Sequence, residues 1–175
     1  MITKYDNFLS ENLLILIDNK INDIFNSKSE RAIFSSSISH WSEYLKSSST
    51  PILRYSMNES DFELVNLLKK EIEKKVPYYV DDIIIHLFPK LSYIPWHDDG
   101  GHGAALTIYI NEKWEPNWGG FFMYKINDDI WAIKPKRNLA LLQKGGLTHC
   151  VTTTNVDSDF RISIQCFLKQ EKKLL

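Results

Sequence analysis

The chain has 175 residues, of which 43% are hydrophobic and 25% charged, and its formal net charge is −1. This length and composition fit a single globular domain with a core of its own. Because the charge is close to zero, the composition does not indicate an extended basic surface, and we expect no nucleic-acid partner. The five-residue apolar run Leu13–Ile17 is too short for a signal-peptide core or a membrane span, so we expect no membrane association.

The two cysteines, Cys150 and Cys166, both lie in apolar, strand-like runs. They are too few for a disulfide framework, and their spacing does not fit a zinc site. We therefore interpret both as free thiols that behave as small hydrophobic residues. This pattern indicates a reducing compartment, and we expect a cytoplasmic location.

The first eighty residues have the pattern of helices. From Ser10 to about Asn26, apolar residues recur with the spacing of one helix face. A second helix is predicted to begin at a capping box of Ser60 and Glu63 and to end before Pro77. We expect its apolar side to consist of Phe62, Val65, Leu68, Ile72 and Val76. Residues 35–60, between the helices, are rich in serine and lack strong periodicity. Two interpretations of this segment are equally open: a lid or substrate-contacting loop, or a merely flexible connection.

From Asp81 onward, short β-branched and aromatic runs alternate with turn residues. Eight such runs follow at close spacing, which favours a β-sandwich or jelly roll over βαβ units. We predict one domain, 1–175, that is mainly β. In this domain 1–80 provide helices that brace one sheet and the lid-like loop, and 81–168 form the jelly-roll catalytic core.

Two polar residues at the end of one predicted strand indicate a metal site. Residues two apart in a strand share a face, so His97 and Asp99 of "HDDGG" project together while Asp98 points away. His149, which begins the later strand "HCVTTT", is the candidate for a second imidazole. Two histidines and one carboxylate can occupy one face of an octahedral Fe(II) ion and leave its other positions open.

Arg161 and Ser163 open the strand "RISIQ" and also share a face. A guanidinium beside a hydroxyl suits the recognition of a carboxylate through charge-assisted hydrogen bonds. Taken alone, Arg161 could equally form an ion pair at a strand end with Asp157 or Asp159.

The order of these motifs resembles that of the Fe(II)- and 2-oxoglutarate-dependent oxygenase superfamily. The pattern consists of His97-x-Asp99, a distal His149, and Arg161-x-Ser163. The segments "LTIYINEKWEPNWGGFFMY" and "IKPKRNLALLQKGGLTHCV" resemble the prolyl 4-hydroxylase-like branch in particular. The resemblance covers roughly 81–168, and it implies a double-stranded β-helix core with the N-terminal helices packed against one sheet.

The resemblance also implies functions for individual residues. His97, Asp99 and His149 match the iron ligands, and Arg161 matches the residue that binds the distal carboxylate of 2-oxoglutarate. Ser163 and Tyr109 match residues that assist there. The implied cofactors are Fe(II), 2-oxoglutarate and O2, with ascorbate as a reductant. The implied reaction is hydroxylation of an unactivated C–H bond with release of succinate and CO2, because halogenating relatives lack the carboxylate that Asp99 provides.

Other histidines and carboxylates of the chain have simpler interpretations. Asp98 is expected to make a turn hydrogen bond or a contact near the metal site. His102 is interpreted as a residue at the rim of the site. His86, in the run "IIIHLF", is expected to be a hydrogen-bonded core histidine, and His40 has no assigned function. Phe88 stands where related enzymes often have a tyrosine.

Two other functions remain open at this stage. A cupin-like iron enzyme would share the jelly roll and the metal ligands, but it would not need Arg161 and Ser163. A non-catalytic binding module with the same fold is the third hypothesis. For the oxygenase, the substrate is expected to be a prolyl residue of a peptide or protein, or a free amino acid, and the oligomeric state is open.

Overall fold

A computed structural model of the chain describes residues 2–26, 35–36, 52–57, 61–155 and 160–171, which contain two antiparallel sheets. The larger sheet contains, in spatial order, β1 (Ile2–Tyr5), β9 (Ala140–Lys144), β6 (Ala104–Tyr109), β11 (Arg161–Glu171), β4 (Tyr78–Phe88), β3 (Leu53–Ser56) and β2 (Ser35–Ser36). The smaller sheet contains β5 (Ile94–His97), β10 (His149–Val151), β7 (Phe122–Ile126) and β8 (Asp129–Ile133). This arrangement confirms the prediction of a mainly β jelly-roll core.

The helices α1 (Glu11–Asn26) and α2 (Phe62–Lys75) pack against the outer face of the larger sheet. Helix α1 contributes leucine and isoleucine side chains from one face, and α2 contributes Leu68 and Ile72. They join the outward-facing residues of β4, β6 and β11 in one apolar cluster. Within the described ranges, no helix is long and apolar enough to cross a membrane.

The predicted start of α2 needs correction. Phe62 is 66% exposed, because it lies about a quarter turn away from the buried stripe that contains Leu68 and Ile72. Ser60, the predicted capping residue, lies outside the described residues. Asp61 precedes the helix without a side-chain capping bond. Its carboxylate instead accepts a hydrogen bond from the Tyr55 hydroxyl and pairs with Lys20.

All eight strands predicted after Asp81 are present as β4 to β11. The first eighty residues also contribute three strands, β1, β2 and β3, which the sequence analysis did not predict. Each is short and is formed by pairing with a distant partner: β1 with β9, β3 with β4, and β2 with β3. Of the predicted lid-like loop, 37–51 and 58–60 lie outside the described residues.

Alternation along the long strands gives the larger sheet two different faces. The outer face of β11 contains Ile164, Cys166 and Leu168, all fully buried under the helices. The inner face of the same strand contains Arg161, Ser163 and Gln165, and it faces the smaller sheet across a cavity. Both cysteines of the chain are free and buried, as predicted.

Candidate active site

A cavity of about 800 Å³ lies between the two sheets. Its walls contain the three predicted metal ligands and the predicted carboxylate-binding pair. The lining residues that the site uses are His97, Asp99, His149, Arg161, Ser163 and Phe88. Residues predicted from distant parts of the sequence therefore face one cavity.

The two histidines are brought together by strand pairing. His97 ends β5, His149 begins β10, and the two residues lie directly opposite each other in the antiparallel register. Their ring centroids are 4.2 Å apart. Asp99 follows β5 in the turn, and its two carboxylate oxygens lie 3.7 Å from His97 Nε2 and from His149 Nε2, respectively. One ligand atom from each of the three residues lies within 4.8 Å of the others.

Backbone carbonyl groups orient both imidazoles. His97 Nδ1 is 2.7 Å from the carbonyl oxygen of Pro95, and His149 Nδ1 is 2.8 Å from that of Leu147. A carbonyl oxygen can only accept a hydrogen bond, so each Nδ1 carries the proton and donates it. In the neutral ring this leaves the Nε2 lone pair free, and both Nε2 atoms point toward Asp99.

His149 is the most buried of the three candidate ligands, and its ring stacks on Phe122 with centroids 5.1 Å apart. Burial lowers the pKa of His149, and the neighbouring charge of His97 lowers it further. Both effects favour the neutral imidazole, which is the form that binds a metal ion.

Gln143, on β9, holds the carboxylate from the opposite wall. Its side-chain amide nitrogen donates a hydrogen bond of 2.6 Å to Asp99 Oδ2 and lies 3.5 Å from His149 Nε2. The residue is only 3% exposed. The sequence analysis missed Gln143, although a single polar residue at the end of the apolar run "LALLQ" was the available signal.

Arg161 is 1% exposed, and its guanidinium lies between the rings of Phe88 and Tyr109, at 4.5 and 5.1 Å from their centroids. Its Nε donates to the carbonyl oxygen of Gly120 at 2.8 Å, and Nη1 is 3.5 Å from the Ser163 hydroxyl. No carboxylate of the described residues pairs with this cation, and burial lowers its pKa. Among the described residues, the guanidinium is thus a buried charge without a counter-ion, beside the cavity.

Tyr109 pairs with Ser163 in the register between β6 and β11 and is completely buried. Burial raises the pKa of Tyr109, although the charge of Arg161 opposes this shift. The hydroxyl lies near Arg161, but no hydrogen bond of good geometry joins them. A protonated phenol without an acceptor is available to donate to an anion bound by Arg161.

The second glycine of "WGG" is needed for Arg161 to approach the backbone. Gly120 has a φ of +64°, and a Cβ at this position would lie 2.8 Å from Arg161 Cδ. The glycine therefore permits the backbone to pass beside the arginine and to accept its Nε hydrogen bond.

The remaining predicted residues are found as follows. Asp98 is exposed, and its carboxylate accepts a hydrogen bond from the Gly100 amide, as expected for the turn. His102 is exposed at the rim of the cavity and stacks on Phe167. The expectation for His86 was wrong: it lies on the inner face of β4 and lines the cavity, because alternation turns Ile85 and Leu87 outward instead. His40, Asp157 and Asp159 lie outside the described residues.

No protein-family model matches the sequence, and no curated protein matches it. Solved structures do resemble the fold. A prolyl hydroxylase from Trichoplax adhaerens, in complex with a hypoxia inducible factor peptide fragment, superimposes with a TM-score of 0.76 at 13% identity, covering 96% of this chain and 83% of that one. The viral collagen prolyl hydroxylase of Paramecium Bursaria Chlorella virus-1, in its 2-oxoglutarate complex, gives 0.65 at 16% identity, covering 97% and 96%. The non-heme α-ketoglutarate-dependent epimerase SnoN of nogalamycin biosynthesis gives 0.71 at 8% identity, covering 97% and 78%.

The chain therefore shares the fold of 2-oxoglutarate-dependent oxygenases, and prolyl hydroxylases are among its structural neighbours. This confirms the likeness to the prolyl 4-hydroxylase-like branch at the level of the fold. The epimerase among the neighbours has the same architecture and a different reaction, so the fold alone does not define the product.

Proposed function

We propose that the protein is an Fe(II)- and 2-oxoglutarate-dependent dioxygenase that hydroxylates an unactivated C–H bond. The observation that carries this proposal is the buried guanidinium of Arg161, which pairs with no carboxylate of the described residues and lies beside the same cavity as the cluster of His97, Asp99 and His149. A metal site alone would suit many enzymes. A metal site accompanied by a buried cation without a counter-ion suits a metal-bound co-substrate with a free carboxylate at its far end.

The residues present fit both groups. Two imidazole nitrogens and one carboxylate oxygen form a donor set that Fe(II) accepts while keeping open positions. Arg161, Ser163 and Tyr109 would bind the distal carboxylate of 2-oxoglutarate. When bound, iron and 2-oxoglutarate would supply the oxidising chemistry, in which O2 is reduced as the co-substrate is converted to succinate and CO2.

The protein itself contributes orientation and exclusion of water. The carbonyl groups of Pro95 and Leu147 fix the rings of the two histidines, and Gln143 fixes Asp99. The rings of Phe88 and Tyr109 enclose the guanidinium of Arg161 and keep water from its faces. In such a low-dielectric setting, a bidentate pair between guanidinium and carboxylate is much stronger than in water.

Anaerobic addition of Fe(II) and 2-oxoglutarate tests the proposal. We expect a visible metal-to-ligand charge-transfer band in the wild type, its loss in His149→Ala and its loss in Arg161→Ala at moderate 2-oxoglutarate. Arg137→Ala is a matched control, because Arg137 pairs with Asp18 and does not line the cavity. A band that forms equally well in Arg161→Ala would favour a cupin-like iron enzyme, and a wild type that binds no metal would favour a binding module.

The substrate class follows from a second measurement. Succinate release that depends on an added substrate should be screened with peptides containing proline and with free amino acids. The peptide bound to the Trichoplax neighbour supports including the first class. Release above the substrate-free rate would identify the acceptor, and oxygen incorporation into the product would establish hydroxylation.

A further inference from the structure

A second guanidinium, that of Arg54, lines the cavity and has no part in the proposed co-substrate site. Arg54 lies on β3 directly beside His86 of β4, and His86 lies beside Ser163 of β11. Adjacent strands are about 4.8 Å apart, so Arg54 is about two strand spacings from the strand that bears Ser163. The cavity thus has two separate positions for anionic groups.

The donors of Arg54 are not fully used. Its Nε is buried and has no hydrogen-bond partner among the described residues. Within the same residues its side chain makes one hydrogen bond, a long one in which Nη2 donates to Asp82 Oδ2 at 3.4 Å. The Asp82 side chain is 44% exposed, and such solvated ion pairs contribute little to stability. A ligand can therefore bind this guanidinium at little cost.

The His86 side chain beside Arg54 adds no charge to this part of the wall. Burial lowers the pKa of His86 to about 3, with further lowering by the charges of Arg54 and Arg161, so this imidazole is neutral at physiological pH. Of the other carboxylates lining the cavity, Asp81 pairs with Lys169, Asp98 accepts a hydrogen bond from the Gly100 amide, and Asp99 belongs to the candidate metal cluster.

2-Oxoglutarate cannot account for this second cation, because its two carboxylates are both used in the proposed complex, one at the metal and one at Arg161. The remaining ligand of the cavity, the substrate, is therefore expected to carry the negative charge that pairs with Arg54. Asp82 adds a constraint, since a lone anion on Arg54 would compete with the carboxylate next to it. A ligand with one charge of each sign complements both residues.

We propose that Arg54 and Asp82 bind the head group of a free α-amino acid substrate, with its carboxylate on Arg54 and its ammonium group near Asp82. This inference rests on the proposed function for the reaction itself. A prolyl residue inside a peptide carries neither charge, so the two substrate classes left open above are distinguished by this pair.

The test compares free amino acids with their derivatives. The twenty protein amino acids and a proline-containing peptide blocked at both ends are supplied to the enzyme with Fe(II), 2-oxoglutarate and O2, and succinate release above the substrate-free rate is measured. For the amino acid that is accepted, kcat/KM is then compared with that of its carboxamide and of its N-acetyl derivative. We expect both derivatives to be at least about 10-fold poorer substrates of the wild type.

Two variants separate the two charges. Arg54→Met should lower kcat/KM for the amino acid by about 10- to 100-fold. In this variant, kcat/KM should be similar for the amino acid and for its carboxamide. Asp82→Asn should no longer discriminate against the N-acetyl derivative. Arg54→Lys, which keeps the charge, should recover part of the loss. The charge-transfer band of Fe(II) and 2-oxoglutarate should be unchanged in all three variants, which shows that they fold and retain the co-substrate site.

The proposal is overturned if no free amino acid raises succinate release, if the blocked peptide is the accepted substrate, or if Arg54→Met matches the wild type with both acid and carboxamide. Failure of the proposed function looks different, because the wild type would then form no charge-transfer band, or Arg161→Ala would form the band as well as the wild type does.

Discussion

Replacing Gln143 by leucine should weaken metal binding without weakening the fold. Gln143, which is 3% exposed, donates one short hydrogen bond, of 2.6 Å, to the Asp99 carboxylate, whose side chain is 17% exposed. Hydrogen bonds to charged groups contribute about 1.5–3 kcal/mol, which corresponds to about 10- to 100-fold in affinity. The loss of a residue that orients a metal ligand commonly lowers metal affinity over the same range.

The effect on stability should have a different size. The amide oxygen of Gln143 is buried without a hydrogen-bond partner. Leucine removes this unsatisfied acceptor and has a similar volume, so the loss of the bond to Asp99 is offset in the metal-free protein. We expect the free energy of unfolding without metal to change by less than about 1 kcal/mol.

The assay is the Kd for Mn(II), measured anaerobically without 2-oxoglutarate, alongside urea unfolding of the metal-free protein. Gln165→Leu is the matched control, because Gln165 lines the same cavity and accepts its hydrogen bond from Thr107 rather than binding a metal ligand. If Gln143→Leu binds Mn(II) as tightly as the wild type, or if Gln165→Leu weakens binding equally, then Gln143 does not orient Asp99.

Three further predictions concern the walls of the cavity and the core. Gly120→Ala should lower the free energy of unfolding by about 1–3 kcal/mol, measured with urea. Gly146→Ala should lower it less, because both glycines have positive φ but only a Cβ at position 120 would lie against Arg161. Because burial raises the pKa of the Cys166 thiol, its modification at neutral pH, mapped by mass spectrometry, should proceed only as fast as the protein unfolds. The pKa of His86 is about 3 in the folded protein and near 6.5 in the unfolded chain, so the unfolded chain takes up the proton at a higher pH. The free energy of unfolding should therefore fall as the pH decreases from about 6.5 toward 3, by at most about 1.4 kcal/mol per pH unit. His86→Gln should remove this part of the pH dependence.

The two faces of the larger sheet explain how one small domain combines a stable core with a polar cavity. Its outer face is covered by two amphipathic helices and contains the main apolar cluster. Its inner face carries arginine, histidine, serine and glutamine side chains toward the smaller sheet. Because stability comes mainly from the covered face, the inner face is free to hold groups that would be costly in a core.

The sequence alone determined the features that depend on local spacing. Alternation placed Arg161 with Ser163, because neighbours two apart in a strand share a face whatever the rest of the fold does. The same spacing grouped His97 with Asp99, and the two side chains do lie close together, although β5 ends at His97 and Asp99 lies in the turn that follows. The eight strand-like runs after Asp81 were recognisable for the same reason, and so was the helical period of α1.

Only the tertiary structure decided which distant groups meet. Gln143 reaches Asp99 because β9 of the larger sheet and the turn after β5 of the smaller sheet come within hydrogen-bond distance. His86 lines the cavity rather than the core because pairing with β11 sets the direction in which its face points. Short strands such as β3, with Arg54, are stabilised by a partner strand far along the chain, so no local pattern marks them. Long-range pairing thus decides whether a side chain faces the cavity or the core, and local periodicity decides only which side chains share a face.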